Sequence, residues 1–121
     1  MDESIQMPSS PKKSPAEYFQ AALDAIKRIT GIEITPDQEA LLFIEAGEMC
    51  DLSGELDQAL RSYQRALELC ESDAVKAEAL KQIGHIRSKR GKWNAALEAY
   101  ETSLGIFDRL GNLREVGNIY N

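Results

Sequence analysis

Histidine, cysteine and paired acids carry most side-chain chemistry, and this 121-residue chain offers one histidine, His85, and two cysteines, Cys50 and Cys70. Glu78, Lys81, His85 and Lys89 recur at helical spacing, so they share one helix face. A covalent hydrolase needs a nucleophile, a base and an acid that orients the base, and no serine stands in such a pattern with His85. Zinc asks for three or four nitrogen, sulfur or carboxylate ligands, and His85 has no cysteine or second histidine at ligand spacing. Cys50 and Cys70 both have apolar neighbours and read as hidden thiols in a reducing compartment, with a disulfide as the alternative. Glu45, Glu48 and Asp51 follow at intervals of three, the ordinary pattern of a solvated helix face. Neither a G-x-G-x-x-G run nor a P-loop is present. No cofactor, metal or catalytic group is expected, and an enzyme is the remotest reading.

The elements that would position these residues are helices. Apolar residues make up 43% of the chain, enough for a globular body, and the formal net charge of -6 disfavours a phosphate backbone as partner. No apolar run reaches the length of a membrane span, and the polar, proline-broken start lacks the core of a secretory signal, which points to the cytoplasm. Residues 1–13 should form a flexible arm. Ser14-Pro15-Ala16-Glu17 then sets a cap, a proline at the first helical position and an answering glutamate; the helix it opens ends at Gly31. Thr35-Pro36-Asp37-Gln38 repeats the device and opens a helix that stops at Ser53-Gly54. A third helix should run from Asp57 to about Cys70, a fourth from an N-cap at Asp73 to Lys89, and a fifth from Lys92 to Leu110. Gly111 to Asn121, with Leu113, Val116, Ile119 and Tyr120, starts a sixth.

Shifted by 37 positions the chain matches itself: Gly47 falls on Gly84, Gly54 on Gly91, Leu56 on Trp93, Ala59 on Ala96, Leu60 on Leu97 and Tyr63 on Tyr100. A glycine in mid-helix costs about 1 kcal/mol against alanine, so its recurrence calls for a packing reason. The expected one is close approach of Gly47 to Ala59 and of Gly84 to Ala96, with Tyr63 and Tyr100 wedged between helices and Leu56 and Trp93 sealing the turn ends. Neither hairpin can bury its apolar face alone, and stacking solves that.

The runs AGEMCDLSGELDQALRSYQRAL (Ala46 to Leu67) and IGHIRSKRGKWNAALEAYETSL (Ile83 to Leu104) resemble the tetratricopeptide repeat family. Each has a small residue in the first helix, a turn glycine and an A-x-x-x-Y-x-x-[AS]-L second helix. Cys50 and Arg87 stand where the family usually has tyrosine, and its common proline after the second helix is absent. The resemblance implies an all-α, right-handed superhelical stack of antiparallel hairpins. Residues 14–31 would then be a degenerate capping helix, 35–71 and 73–110 two repeat units, and 111–121 a truncated first helix of another, as in a fragment of a longer repeat protein.

The same resemblance implies protein binding. The groove would be lined by Leu41, Ile44, Glu48 and Asp51 in one unit and by Glu78, Lys81, His85, Ser88 and Lys89 in the next, a surface of both charge signs for a peptide or helix of a partner. Relatives that clamp a terminal carboxylate use lysine and asparagine where this chain has Ile44 and Glu48, so that ligand is not implied. A solenoid spacer or cap without a ligand of its own is the alternative. The short last segment also leads us to expect self-association of the chain, as a homodimer through the C-terminal end, around Leu97, Tyr100, Leu104 and Phe107.

Overall fold

The structure, a computed structural model, describes residues 15–111; the expected arm, the Ser14 cap and the final segment lie outside them. Five helices follow in order: α1 (Pro15–Thr30), α2 (Pro36–Leu52), α3 (Leu56–Leu69), α4 (Asp73–Lys89) and α5 (Trp93–Arg109). They form paired antiparallel hairpins, α2 with α3 and α4 with α5, stacked through α3 against α4, with α1 laid against α2 and α3. This is the all-α hairpin solenoid expected from the internal repeat.

Local chemistry explains the boundaries. Thr35 caps α2 in both directions: its hydroxyl accepts from the Gln38 N–H at 3.1 Å, while the Gln38 side chain accepts from the Thr35 N–H at 2.9 Å. In α4 the cap is Ser72, not Asp73. The Ser72 hydroxyl accepts from the Val75 N–H at 3.2 Å, and Asp73 becomes the first helical residue, where its negative charge faces the N-terminal dipole. The two hairpin turns reverse at Gly54 and Gly91, with φ of +80° and +74°, a backbone region that a Cβ penalises. Asp37 in the first turn of α2 ties the units together by accepting from the N–H groups of Glu71 at 2.7 Å and Ser72 at 3.1 Å. Those two bonds hold its carboxyl below the usual range.

At the mid-helix glycines the nearest atoms belong to the two tyrosines expected to wedge between helices. A Cβ on Gly47 would lie 2.5 Å from Cε1 of Tyr63, and one on Gly84 would lie 2.9 Å from the ring of Tyr100. The glycines leave a bare stretch of helix backbone that the tyrosine ring of the partner helix occupies. Ala59 and Ala96 are buried as well. Tyr63 is fully buried and Phe43, Ala59, Ala66, Ala79, Ile83 and Ile86 complete the main core around it.

The expectation that Leu56 and Trp93 seal equivalent turn ends holds only for Leu56, which packs on the core beside α4. Trp93 is 67% exposed, since no described helix stands to α5 as α4 stands to α3. At the other end, α1 is fastened by an edge-on contact of Phe19 with Phe43, centroids 5.0 Å apart, and by Arg65, which donates to the Gln20 side chain at 2.9 and 3.1 Å. Glu39 adds a charged contact there: it is buried on the apolar stripe of α2 and accepts from Lys27 of α1.

Candidate functional site

Helices α2 and α4 lie side by side, and each leaves one face open. On α2 that face carries Leu41, Glu45, Glu48, Met49 and Leu52, which helical phase places on one side. All five are exposed, Met49 at 70% and Leu52 at 88%. On α4 it carries Glu78, Lys81, Gln82, His85 and Lys89. Asp51 joins the two rows: its carboxylate accepts from Lys89 Nζ at 2.6 Å and lies 3.4 Å from His85 Nε2.

Most of the residues expected in a groove are therefore gathered on one surface. Leu41, Glu48 and Asp51 reach it from α2, and Glu78, Lys81, His85 and Lys89 from α4; Ser88 is half-buried beside them. Ile44 does not reach it. At 4% exposure Ile44 is a core residue, because α2 is enclosed by α1, α3 and α4 on every side but one and residue 44 lies inside that enclosure. Met49 and Leu52 are the apolar side chains exposed beside Leu41 on that face. Their spacing from Leu41, along the opposite edge of α2 from Phe43 and Gly47, was the available sequence signal.

The charges on this surface are largely spent on one another in the second unit. Lys81 pairs with Glu78 at 3.2 Å, and Lys89 and His85 face Asp51. The first unit is different. Glu48 has its carboxyl pushed above the usual range, first by partial burial, then by repulsion from Glu78 and from Glu45, each of which outweighs the relief from Lys81. The surface as a whole is therefore short of positive charge around Glu45 and Glu48.

Beneath these carboxylates lies the Tyr63 ring. It crosses the backbone of Gly47, and its buried hydroxyl has no hydrogen-bond partner. Burial, then the charges of Glu48 and Asp51, raise the pKa of this phenol far above normal, so it remains a proton donor. A buried donor without an acceptor costs about 1–3 kcal/mol.

Elsewhere, a cleft of about 620 Å³ separates α1 from α3 and is lined by Gln20, Asp24, Arg61, Gln64, Arg65 and Glu68 among others. It is open and of mixed charge, and Arg65 within it is already engaged by Gln20 and Glu68. Among the described residues no group of three or more His, Cys, Asp or Glu could hold a metal ion. Both cysteines are half-buried free thiols, raised in pKa by burial, which makes them weak nucleophiles. No helix among the described residues is long and apolar enough to cross a membrane.

Comparison with known proteins agrees with this architecture. A family model described as tetratricopeptide repeat matches residues 37–109. Human and mouse proteins named cell division cycle protein 16 homolog are each 32% identical to this chain over 94 residues, which is 78% of this chain and 14% of theirs. The chain thus spans about one-seventh of the length of those relatives.

Proposed function

Because the chain belongs to the tetratricopeptide repeat family, whose repeats are non-catalytic scaffolds for protein–protein interaction, we propose that it holds a peptide or helix of a partner protein on the open face of α2 and α4. The observation that carries this reading is the row of exposed apolar side chains, Leu41, Met49 and Leu52, set among charged residues on a face that no described helix covers. In this reading residues 35–71 and 73–110 act as the two units that build the face, 14–31 caps them, and the protein works in the cytoplasm, where half-buried thiols such as Cys50 and Cys70 stay reduced. Carrying Met49→Asp and Leu52→Asp together should leave the helical circular dichroism intact, since both side chains are exposed, and should abolish capture of partners from a lysate. Capture unchanged by that pair would remove the face from consideration and favour a spacer without its own ligand.

A second copy of the chain is the other partner we propose, on a separate surface. Trp93 and Leu97 are exposed on α5, whereas Leu56 and Leu60, their equivalents on α3, are packed on the core. Phe107, expected in this patch, belongs instead to a small core with Ile106, Ala77 and Leu80, and Tyr100, also expected there, is half-buried against Gly84. The dimer should therefore depend on Trp93 and Leu97. Light scattering at tens of micromolar should show a dimer mass that Trp93→Glu with Leu97→Glu returns to monomer; a wild-type monomer at that concentration would dismiss the interface.

A further inference from the structure

On the open face of α2 and α4 the basic residues are already used. Lys89 and His85 face Asp51, and Lys81 faces Glu78, so the mixed surface read from the sequence is, toward an incoming ligand, an acidic and apolar one. Glu45 and Glu48 stand exposed, and at Glu48 the repulsion of Glu78 and Glu45 exceeds the help from Lys81. Under them the Tyr63 hydroxyl, in a side chain with no solvent exposure, is a donor without an acceptor, close enough to Glu48, Asp51 and Glu78 to feel their charge. Leu41, Met49 and Leu52 flank the acids at helical spacing.

Such a site wants two things at once: positive charge against the carboxylates and apolar surface against Leu41, Met49 and Leu52. A simple cation supplies only the first. An acidic or phosphorylated segment would add to the repulsion already present at Glu48. A basic amphipathic polypeptide supplies both.

We propose that the open face of α2 and α4 binds a basic amphipathic peptide segment, with an arginine or lysine seated among Glu45, Glu48 and Glu78 and apolar side chains against Leu41, Met49 and Leu52. This rests on the reading of that face as the binding surface and adds the chemistry of what it binds. In the complex the partner's cation relieves the repulsion at Glu48. Arginine suits the place better than lysine, because its planar fork can bond two carboxylates together.

The test is selection of a random dodecapeptide phage library on the full 121-residue chain, in parallel with Glu45→Lys/Glu48→Lys and with Met49→Asp/Leu52→Asp. Peptides selected on the wild type should be enriched in arginine and lysine beside leucine-like residues, and should bind the lysine double variant at least about tenfold more weakly, which itself should enrich acidic peptides. Affinity of a selected peptide should fall as salt is raised. Peptides that are neutral or acidic, yet are lost on Met49→Asp/Leu52→Asp, would overturn the basic ligand and leave the binding face standing. Peptides unaffected by either pair, or no enrichment at all, would overturn both.

Discussion

Replacing Gly47 with leucine is expected to destabilise the protein by about 3 kcal/mol or more, among the largest single effects available in this chain. Even the first carbon of the new side chain would lie 2.5, 2.8 and 2.9 Å from three atoms of the Tyr63 ring. That ring cannot retreat, because it is fully buried at the centre of the main core. Gly84→Leu should be milder, about 1–2 kcal/mol, since its nearest contact is 2.9 Å and the Tyr100 ring is only half-buried and can swing outward. Lys76→Leu, on the exposed side of α4, should lie within about 0.5 kcal/mol of wild type. Urea denaturation of the three variants ranks them, and a Gly47 variant as stable as the Lys76 variant would show that the tyrosine crossing has room to relax.

Lys27→Met is expected to cost about 2–3 kcal/mol, far more than removal of an ordinary surface lysine. Its partner Glu39 has a side chain only 6% exposed, so losing the lysine leaves a buried carboxylate to a weak 3.4 Å hydrogen bond from Gln20. The lysine itself is 32% exposed, which keeps the cost below the 3–5 kcal/mol, approximately, of breaking a wholly buried pair. Adding Glu39→Leu to Lys27→Met should recover most of the loss, because an apolar pair fits the stripe formed by Phe43 and Gly47. Thermal unfolding of the two singles and the double closes the cycle. Simple additivity, with the double worse than either single, would mean that the pair does not act as a unit.

These two sites also show where sequence reasoning reaches and where it stops. Helix boundaries came from local chemistry, and so did the solenoid from the 37-position self-match, because caps, turn glycines and apolar spacing act over a few residues. Ser72 against Asp73 was a choice between two competent caps at adjacent positions, decided by which side chain could reach back to the Val75 N–H. Partners across helices were harder. That the glycines repeat was visible, but whether an alanine or a tyrosine fills the space they leave depends on helix rotation, which spacing alone does not give.

The candidate site was legible in outline for the same reason. Leu41, Glu48, Asp51, Glu78, Lys81, His85 and Lys89 do converge, since helical phase places each on its own open face. Ile44 was misplaced because burial of α2 is set by three neighbours at once. The pairing of Asp51 with Lys89, 38 positions later, turns a surface that reads as mixed into one with its basic half occupied, and no local rule links two such residues. Glu39 did carry a signal: a carboxylate in phase with Phe43 and Gly47 must find a cation inside.

The exposure of Trp93 has an experimental use. It is the chain's one tryptophan, and it stands at the start of α5, on a helix that supplies none of the residues of the α2–α4 face. Indole emission shifts to the blue when water is removed from the ring, so the protein carries its own optical reporter for one surface. A ligand on α2 and α4 should leave the emission maximum where it is, while a molecule that covers α5 should move it. Occupation of the two surfaces can thus be told apart in a single unlabelled cuvette, before any partner has been identified.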